Sequence, residues 1–132
     1  MTEQKRITRS GCPVNCIVEF FGDKWSLLIV RELMGKHVRT FSQLMSMKER
    51  ISTGTLATRI CKLQELGIID RQSSPDDKRS ADYSLTQKGK DLEPMMVEMV
   101  LWAADHEMPE LPKNVIDNLR QTRMFDPRYD CD

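Results

Sequence analysis

The sequence predicts a mainly α-helical domain with one small β-hairpin, and three observations predict it. Apolar residues recur at helical spacing over most of the 132 residues. These periodic stretches open on capping residues or a proline and close near glycines. Two short alternating runs, separated by a turn-rich charged segment, interrupt the pattern at residues 68–85. The length suits one domain at about 100 to 200 residues per domain, so 1–132 reads as a single unit.

Pro13 opens the first helix, where its missing N–H costs nothing, and this makes Cys12 the N-cap. Val14, Ile17, Val18 and Phe21 then follow at helical spacing until Gly22. Asp23 caps a second helix, KWSLLIVRELM, whose apolar stripe is Trp25, Leu28, Ile29 and Leu33 and whose stop is Gly35. Thr40 and Gln43 have capping-box spacing for a short third helix with Phe41 and Leu44 facing inward. A turn follows at residues 48–51. Ser52 caps a fourth helix that runs to about residue 66 and ends at Gly67. At about 100° per residue, Leu56, Ile60 and Leu63 make one narrow buried stripe. Thr55, Thr58, Arg59 and Lys62 make a polar, basic face with Glu65 at its margin, and Cys61 falls near the back of the helix.

Residues 68–72 and 81–85 read as strands, the second placing Ala81, Tyr83 and Leu85 on one face. Between them SSPDDKRS, residues 73–80, forms a protruding tip. Thr86 caps a long helix to about residue 106, in which Pro94 marks either a kink or the start of a second segment. Pro109 and Pro112 bracket a break before an amphipathic stretch at 114–120. The tail MFDPRYDCD reads as loose.

Composition narrows the function. With 39% hydrophobic and 30% charged residues the chain has material for a core and is not a disordered polyampholyte. Its longest apolar run, residues 99–104, is far short of the roughly 20 residues of a membrane span, and MTEQKRITRS lacks the hydrophobic stretch of a signal peptide. A soluble, cytoplasmic protein is expected. Cys12, Cys16, Cys61 and Cys131 are too irregularly placed for a disulfide framework and read as reduced thiols. There is no Gly-rich phosphate loop and no HExxH, and His37 and His106 stand in no nucleophile–base spacing, so neither an enzyme nor a cofactor is expected. Cys12 and Cys16 with distant histidines are not a strong zinc spacing. Twenty basic and twenty acidic residues cancel overall, yet residues 1–90 hold 16 Lys/Arg against 10 Asp/Glu while residues 91–132 hold 4 against 10. A basic body with an acidic end hints at a polyanionic partner.

A basic helix capped by small residues, preceded by two helices and followed directly by a hairpin, is the order of a winged helix-turn-helix. A helix fits the DNA major groove, and small leading residues let its backbone approach the bases. Ser52, Thr53, Gly54 and Thr55 supply that edge; Thr58, Arg59 and Lys62 lie behind it, and Lys78 and Arg79 sit at the wing tip. Arg59 is the first candidate for a bidentate contact with guanine. Double-stranded DNA is therefore the expected partner. A second reading is a winged-helix protein-interaction module without specific DNA binding, motivated by Asp76 and Asp77, which neutralise Lys78 and Arg79, and by the zero net charge.

Over residues 11–107 the chain resembles the HxlR-type winged helix-turn-helix transcriptional regulators, within the wider MarR-like winged-helix superfamily. The resemblance rests on CPV (12–14), GDKWSLLIVREL (22–33), TFSQL (40–44), ISTGTLATRICKLQELGIIDR (51–71), DYSLTQKGKDLEPM (82–95) and Trp102, in that order and spacing. It implies a homodimer that binds inverted-repeat operator DNA and represses or activates nearby genes. It also implies a recognition helix at 52–66, a wing at 73–80, and dimer contacts from the first and last helices. The wing departs from the family pattern, with Ser80 where a basic residue often precedes the second strand. Residues 108–132 are a C-terminal extension.

Dimerisation has support of its own. From residue 95 to 104 only Glu98 is not apolar, a wider coverage than one globular face needs. Val14, Ile17, Met95, Met99 and Trp102 are the expected interface residues. The adaptable side chains of Met95, Met96 and Met99 also suit a small-molecule effector between subunits. Cys12 at a helix N-terminus, preceded by Lys5, Arg6 and Arg9, stands where an anionic sulfur is favoured, and the resemblance implies redox or electrophile sensing at the cysteine before Pro-Val. The alternative for Cys12 is a small hydrophobe at the dimer edge. Cys16, one turn on, is the candidate resolving thiol if the helix end distorts or the partner subunit's cysteine is nearer.

Overall fold

The computed structural model describes residues 9–35, 37–77 and 80–129. Helix α1 (Pro13–Phe21) begins at N-cap Cys12 with Pro13 in its first turn. Helix α2 (Ser26–Leu33) starts later than expected, with Trp25 and not Asp23 at the N-cap; the Asp23 carboxylate instead gathers the helix start from two residues upstream, accepting hydrogen bonds from the Trp25 and Ser26 amides at 2.8 Å each and from the Ser26 hydroxyl at 2.5 Å. A short strand β1 (Arg39–Thr40), absent from the sequence reading, leads into α3 (Phe41–Met45). Two residues carry too little alternation to register as a strand before their partner is known. Thr40 and Gln43 close the expected capping box.

Helix α4 (Thr53–Glu65) starts from N-cap Ser52 and stops at Gly67, whose φ of +75° is the left-handed conformation glycine adopts without penalty. Strands β2 (Ile69–Ser73) and β3 (Ala81–Leu85) form the antiparallel hairpin, with Ile69 opposite Leu85 and Ser73 opposite Ala81. Arg39 and Thr40 pair with Tyr83 and Asp82 on the other edge of β3, giving the sheet order β1-β3-β2.

The long helix expected after Thr86 is two elements, α5 (Gln87–Lys90) and α6 (Glu93–His106). Pro94 lies in the first turn of α6, where proline suits a helix start, so of the two readings the second holds. Helix α7 (Lys113–Thr122) is longer than the expected stretch at 114–120. The tail is not loose as far as Tyr129: Phe125 is half-buried, Asp126 is buried, and a 3₁₀ turn spans Pro127–Tyr129. Asp126 accepts from the Arg128 guanidinium at 2.6 Å, and the Phe125 amide donates to Glu93 Oε2 at 3.1 Å. Cys131 lies outside the described residues.

Two hydrophobic clusters hold these elements. The larger joins α2, α3, α4 and the sheet through Ile29, Leu33, Leu44, Leu56, Leu63 and Leu85. The smaller joins α6 and α7 through Val97, Leu101, Leu111, Ile116 and Leu119, and Phe125 packs against both.

Candidate nucleic-acid interface

Helix α4 is positioned from three sides. Leu56, Ile60 and Leu63 are buried in the main cluster, as their spacing predicts. At the N-terminus the Ser52 hydroxyl accepts from the Thr55 amide at 3.3 Å and donates to Thr55 Oγ1 at 2.8 Å. At the C-terminus Lys88 Nζ donates to the Leu66 carbonyl at 2.6 Å, placing a cation at the negative end of the helix. The Thr86 hydroxyl donates to the Gly67 carbonyl at 2.5 Å, tying the same end to the hairpin exit.

The small residues expected at the leading edge are there. Ser52, Thr53 and Gly54 are exposed, and Thr55 is half-buried. Thr58 is exposed, its hydroxyl donating to the Gly54 carbonyl at 2.9 Å. Arg59 and Lys62, expected to project beside Thr55 and Thr58, fold back toward the first two helices. Arg59 Nε stands 3.6 Å from Asp23 Oδ2, an ion pair too long to be a hydrogen bond, and the arginine side chain is 30% exposed. Lys62 Nζ donates to the Glu19 carbonyl at the end of α1, at 3.1 Å. Burial pushes the Asp23 carboxyl up, but hydrogen bonds from the Ser26 hydroxyl and the Trp25 and Ser26 amides, with Arg59 beside it, hold it below the usual carboxylate range.

The outer face of α4 is consequently small and largely uncharged: Gly54, Ala57, Thr58 and Cys61 are exposed, with Glu65 at its lower end. Cys61 is a correction, since its expected place was the back of the helix; its Sγ lies 3.8 Å from Glu65 Oε1. Ala57 was missed as well. The helical wheel carries the signal for Cys61: measured from the buried stripe of Leu56, Ile60 and Leu63, Gly54, Thr58, Cys61 and Glu65 fall roughly 130° to 175° away, while Ala57 sits at the side, about 90° away.

Beside α4 the hairpin carries the wing. Ser74 N donates to Ser80 O and Ser80 N to Asp77 O, both at 3.0 Å, closing its base. Lys78 and Arg79 lie outside the described residues; Asp76 and Asp77 are exposed.

Most of the expected dimer residues are uncovered on the single chain. Val14 is 70% exposed, Trp102 60% and Met99 46%, with Ile17 and Val18 also exposed and Met95 half-buried. Helix α7 buries Val97 and Leu101 on another side of α6 and leaves Met99 and Trp102 outward. Cys12 is exposed and Cys16 half-buried one turn later, joined by the Cys16 N to Cys12 O hydrogen bond of 3.0 Å.

Three helices, a wing and an uncovered α4 define a winged helix-turn-helix protein of the DNA-binding class. The chain belongs to the HxlR-like helix-turn-helix family, whose model matches residues 20–111. An HTH-type transcriptional regulator of Synechocystis is 36% identical over 88 residues, 67% of this chain and 64% of that one, so the match spans just under two thirds of that relative. A second, from Mycobacterium tuberculosis, is 34% identical over 122 residues, 92% of this chain and 76% of the other. Among solved structures, the reduced form of the transcriptional regulator YodB from Bacillus subtilis superposes with a TM-score of 0.63 at 28% identity, covering 76% of this chain and 98% of that one. YodB is also solved bound to a quinone and after diamide treatment. The chain is thus a transcriptional regulator of the HxlR-like helix-turn-helix family. Among the described residues no helix is long and apolar enough to cross a membrane.

Proposed function

We propose that the chain acts in the cytoplasm as a non-catalytic homodimeric regulator that reads an inverted-repeat operator in double-stranded DNA. Ser52, Thr53, Gly54, Thr55 and Thr58 enter the major groove, Lys78 and Arg79 supply reach to phosphates, and Arg59 and Lys62 reach base edges and phosphates by exchanging Asp23 and the Glu19 carbonyl for DNA. The observation that carries this reading is the uncovered outer face of α4, capped at both ends and backed by the core. A rigid helix with small residues leading can approach the bases closely. The exposed apolar residues Val14 and Ile17 on α1 and Met99 and Trp102 on α6 support pairing with a second copy, and C2 symmetry would present two α4 helices to two half-sites.

Selection from a random duplex library followed by fluorescence anisotropy across salt tests it. An enriched, twofold-symmetric sequence is expected, with log affinity falling by about 0.9 per neutralised phosphate for each unit of log salt. Equal affinity for every duplex rejects the operator reading; a stable protein partner with no duplex binding favours the interaction module. Arg59→Ala relaxes base preference, whereas Lys78→Ala weakens all sequences alike.

Redox or electrophile sensing at Cys12 is a further part of the proposal, with Cys16 as the resolving thiol. Its support is the exposure of Cys12 and the similarity to YodB, solved in reduced, quinone-bound and diamide-treated forms. If Cys12→Ser releases the selected operator on diamide treatment as the wild-type chain does, Cys12 is not the sensor.

A further inference from the structure

Residues 113–129 lie beyond the stretch matched by the family model, and three of them, Met124, Phe125 and Tyr129, line a cleft against the winged-helix body. The end of α2 and the start of β1 line it as well. Met124, Phe125 and Tyr129 line it together with Met34, His37 and Arg39, Glu32 and Glu93 also border it, and its volume is about 290 Å³. That volume is at the small end of ligand sites and suits a ring with one or two substituents.

The chemistry of the lining selects a class of ligand. Arg31, also in the lining, is spent: its guanidinium donates to both Glu49 oxygens at 2.7 Å each and pairs with Glu32 at 3.5 Å. Glu93 accepts the Phe125 amide. Arg39 differs, being half-buried with no carboxylate partner among the described residues. A guanidinium in that state takes a carboxylate through two parallel hydrogen bonds, and its planar fork fits one better than a point charge does. Phe125 and Tyr129 meet edge to face with centroids 5.2 Å apart, and Met34 and Met124 add polarizable thioethers that suit aromatic neighbours.

We propose that this cleft binds a small aromatic carboxylate, with Arg39 holding the carboxylate and Phe125, Tyr129 and Met124 flanking the ring. The site lies within one subunit, and its lining includes none of Val14, Ile17, Met99 and Trp102. Through the Arg39–Tyr83 pairing it rests on the strand that carries the wing, so an occupant touches both the C-terminal extension and the sheet. Binding itself does not depend on the DNA reading.

The test uses the full chain labelled with ¹³C at the methionine methyls, titrated with 2-naphthoate and with the neutral 2-naphthalenemethanol. Saturable shifts at Met34 and Met124 are expected with naphthoate. The alcohol, and Arg39→Gln with naphthoate, should each bind roughly tenfold or more weakly, the scale of a charge-assisted hydrogen bond. Phe125→Ala should weaken both ligands together. Shifts confined to Met95 and Met99, no saturation with naphthoate, or unchanged affinity in Arg39→Gln each overturn the proposal; the wild-type methyl shifts decide alone should Arg39→Gln not fold. No DNA enters the measurement, so a negative result leaves the regulator reading standing.

Discussion

Asp23 shows how one carboxylate serves both stability and the interface. It accepts three hydrogen bonds at the start of α2 and stands beside Arg59 of α4. Asp23→Ala should cost about 1 to 2 kcal/mol, read as a lower urea midpoint, since its carboxylate takes up free amides at the helix start as a capping side chain does. Its pH dependence has a definite sign. The Asp23, Glu49 and Asp126 carboxyls are held below their ordinary values; for the latter two the hydrogen bonds from Arg31 and Arg128 are the main cause. The unfolded chain therefore binds more protons in acid. Their contribution is fully present above the ordinary carboxylate range of about 4 and is lost as pH falls through the lower native values. Urea midpoints should be flat from neutral pH to about pH 5 and decline below about pH 4, less steeply in Asp23→Ala. Equal midpoints at pH 3 and pH 7 would falsify the assignment. Gly89 is a second sensitive point: a Cβ there would lie 2.4 Å from the Ile68 carbonyl oxygen and 3.0 Å from a Leu85 methyl. Gly89→Ala should destabilise by about 1 to 3 kcal/mol, because backbone rather than a flexible tip stands in the way.

At the level of elements, α6 is built to be covered on more than one side. Helix α7 accounts for Val97 and Leu101, and Met99 and Trp102 are left exposed, as are Val14 and Ile17 of α1. Trp102→Glu should raise the dimer dissociation constant by roughly 30-fold or more, the scale of an aromatic hot spot, with helical circular dichroism unchanged. Sedimentation velocity across protein concentration reads this directly. A wild-type chain that stays monomeric at high concentration would remove the dimer from the proposal.

Across the whole molecule the two hydrophobic clusters are bridged by Phe125, and ion pairs from Arg120 to Asp105 and from Arg123 to Glu98 fasten α7 and the tail to α6. Exposed pairs of this kind contribute little each, so the buried leucines set the coupling. Leu119 is fully buried in the smaller cluster. Leu119→Ala should cost about 2 to 5 kcal/mol. If the chain unfolds as one unit, the loss appears equally in the fluorescence of Trp25, which packs on the larger cluster, and Trp102 on α6. Two separate transitions would instead divide the chain near residue 92.

Caps, periodicity and turn residues made α1 through α4 and the hairpin readable in advance, because each depends on neighbours within a few positions: Pro13 after Cys12, Thr40 with Gln43, Ser52 with Thr55, and Gly67 after α4. Strand β1, the seating of Phe125 and Asp126, and the inward turn of Arg59 and Lys62 were not readable. Each depends on a group brought near by folding, namely Tyr83, Glu93, Asp23 and the Glu19 carbonyl. A long basic side chain looks the same in a string of letters whether it reaches outward or back. Only the packing of α4 against the α1–α2 corner set its partner within reach, and that contact between residues some forty positions apart is a property of the folded chain.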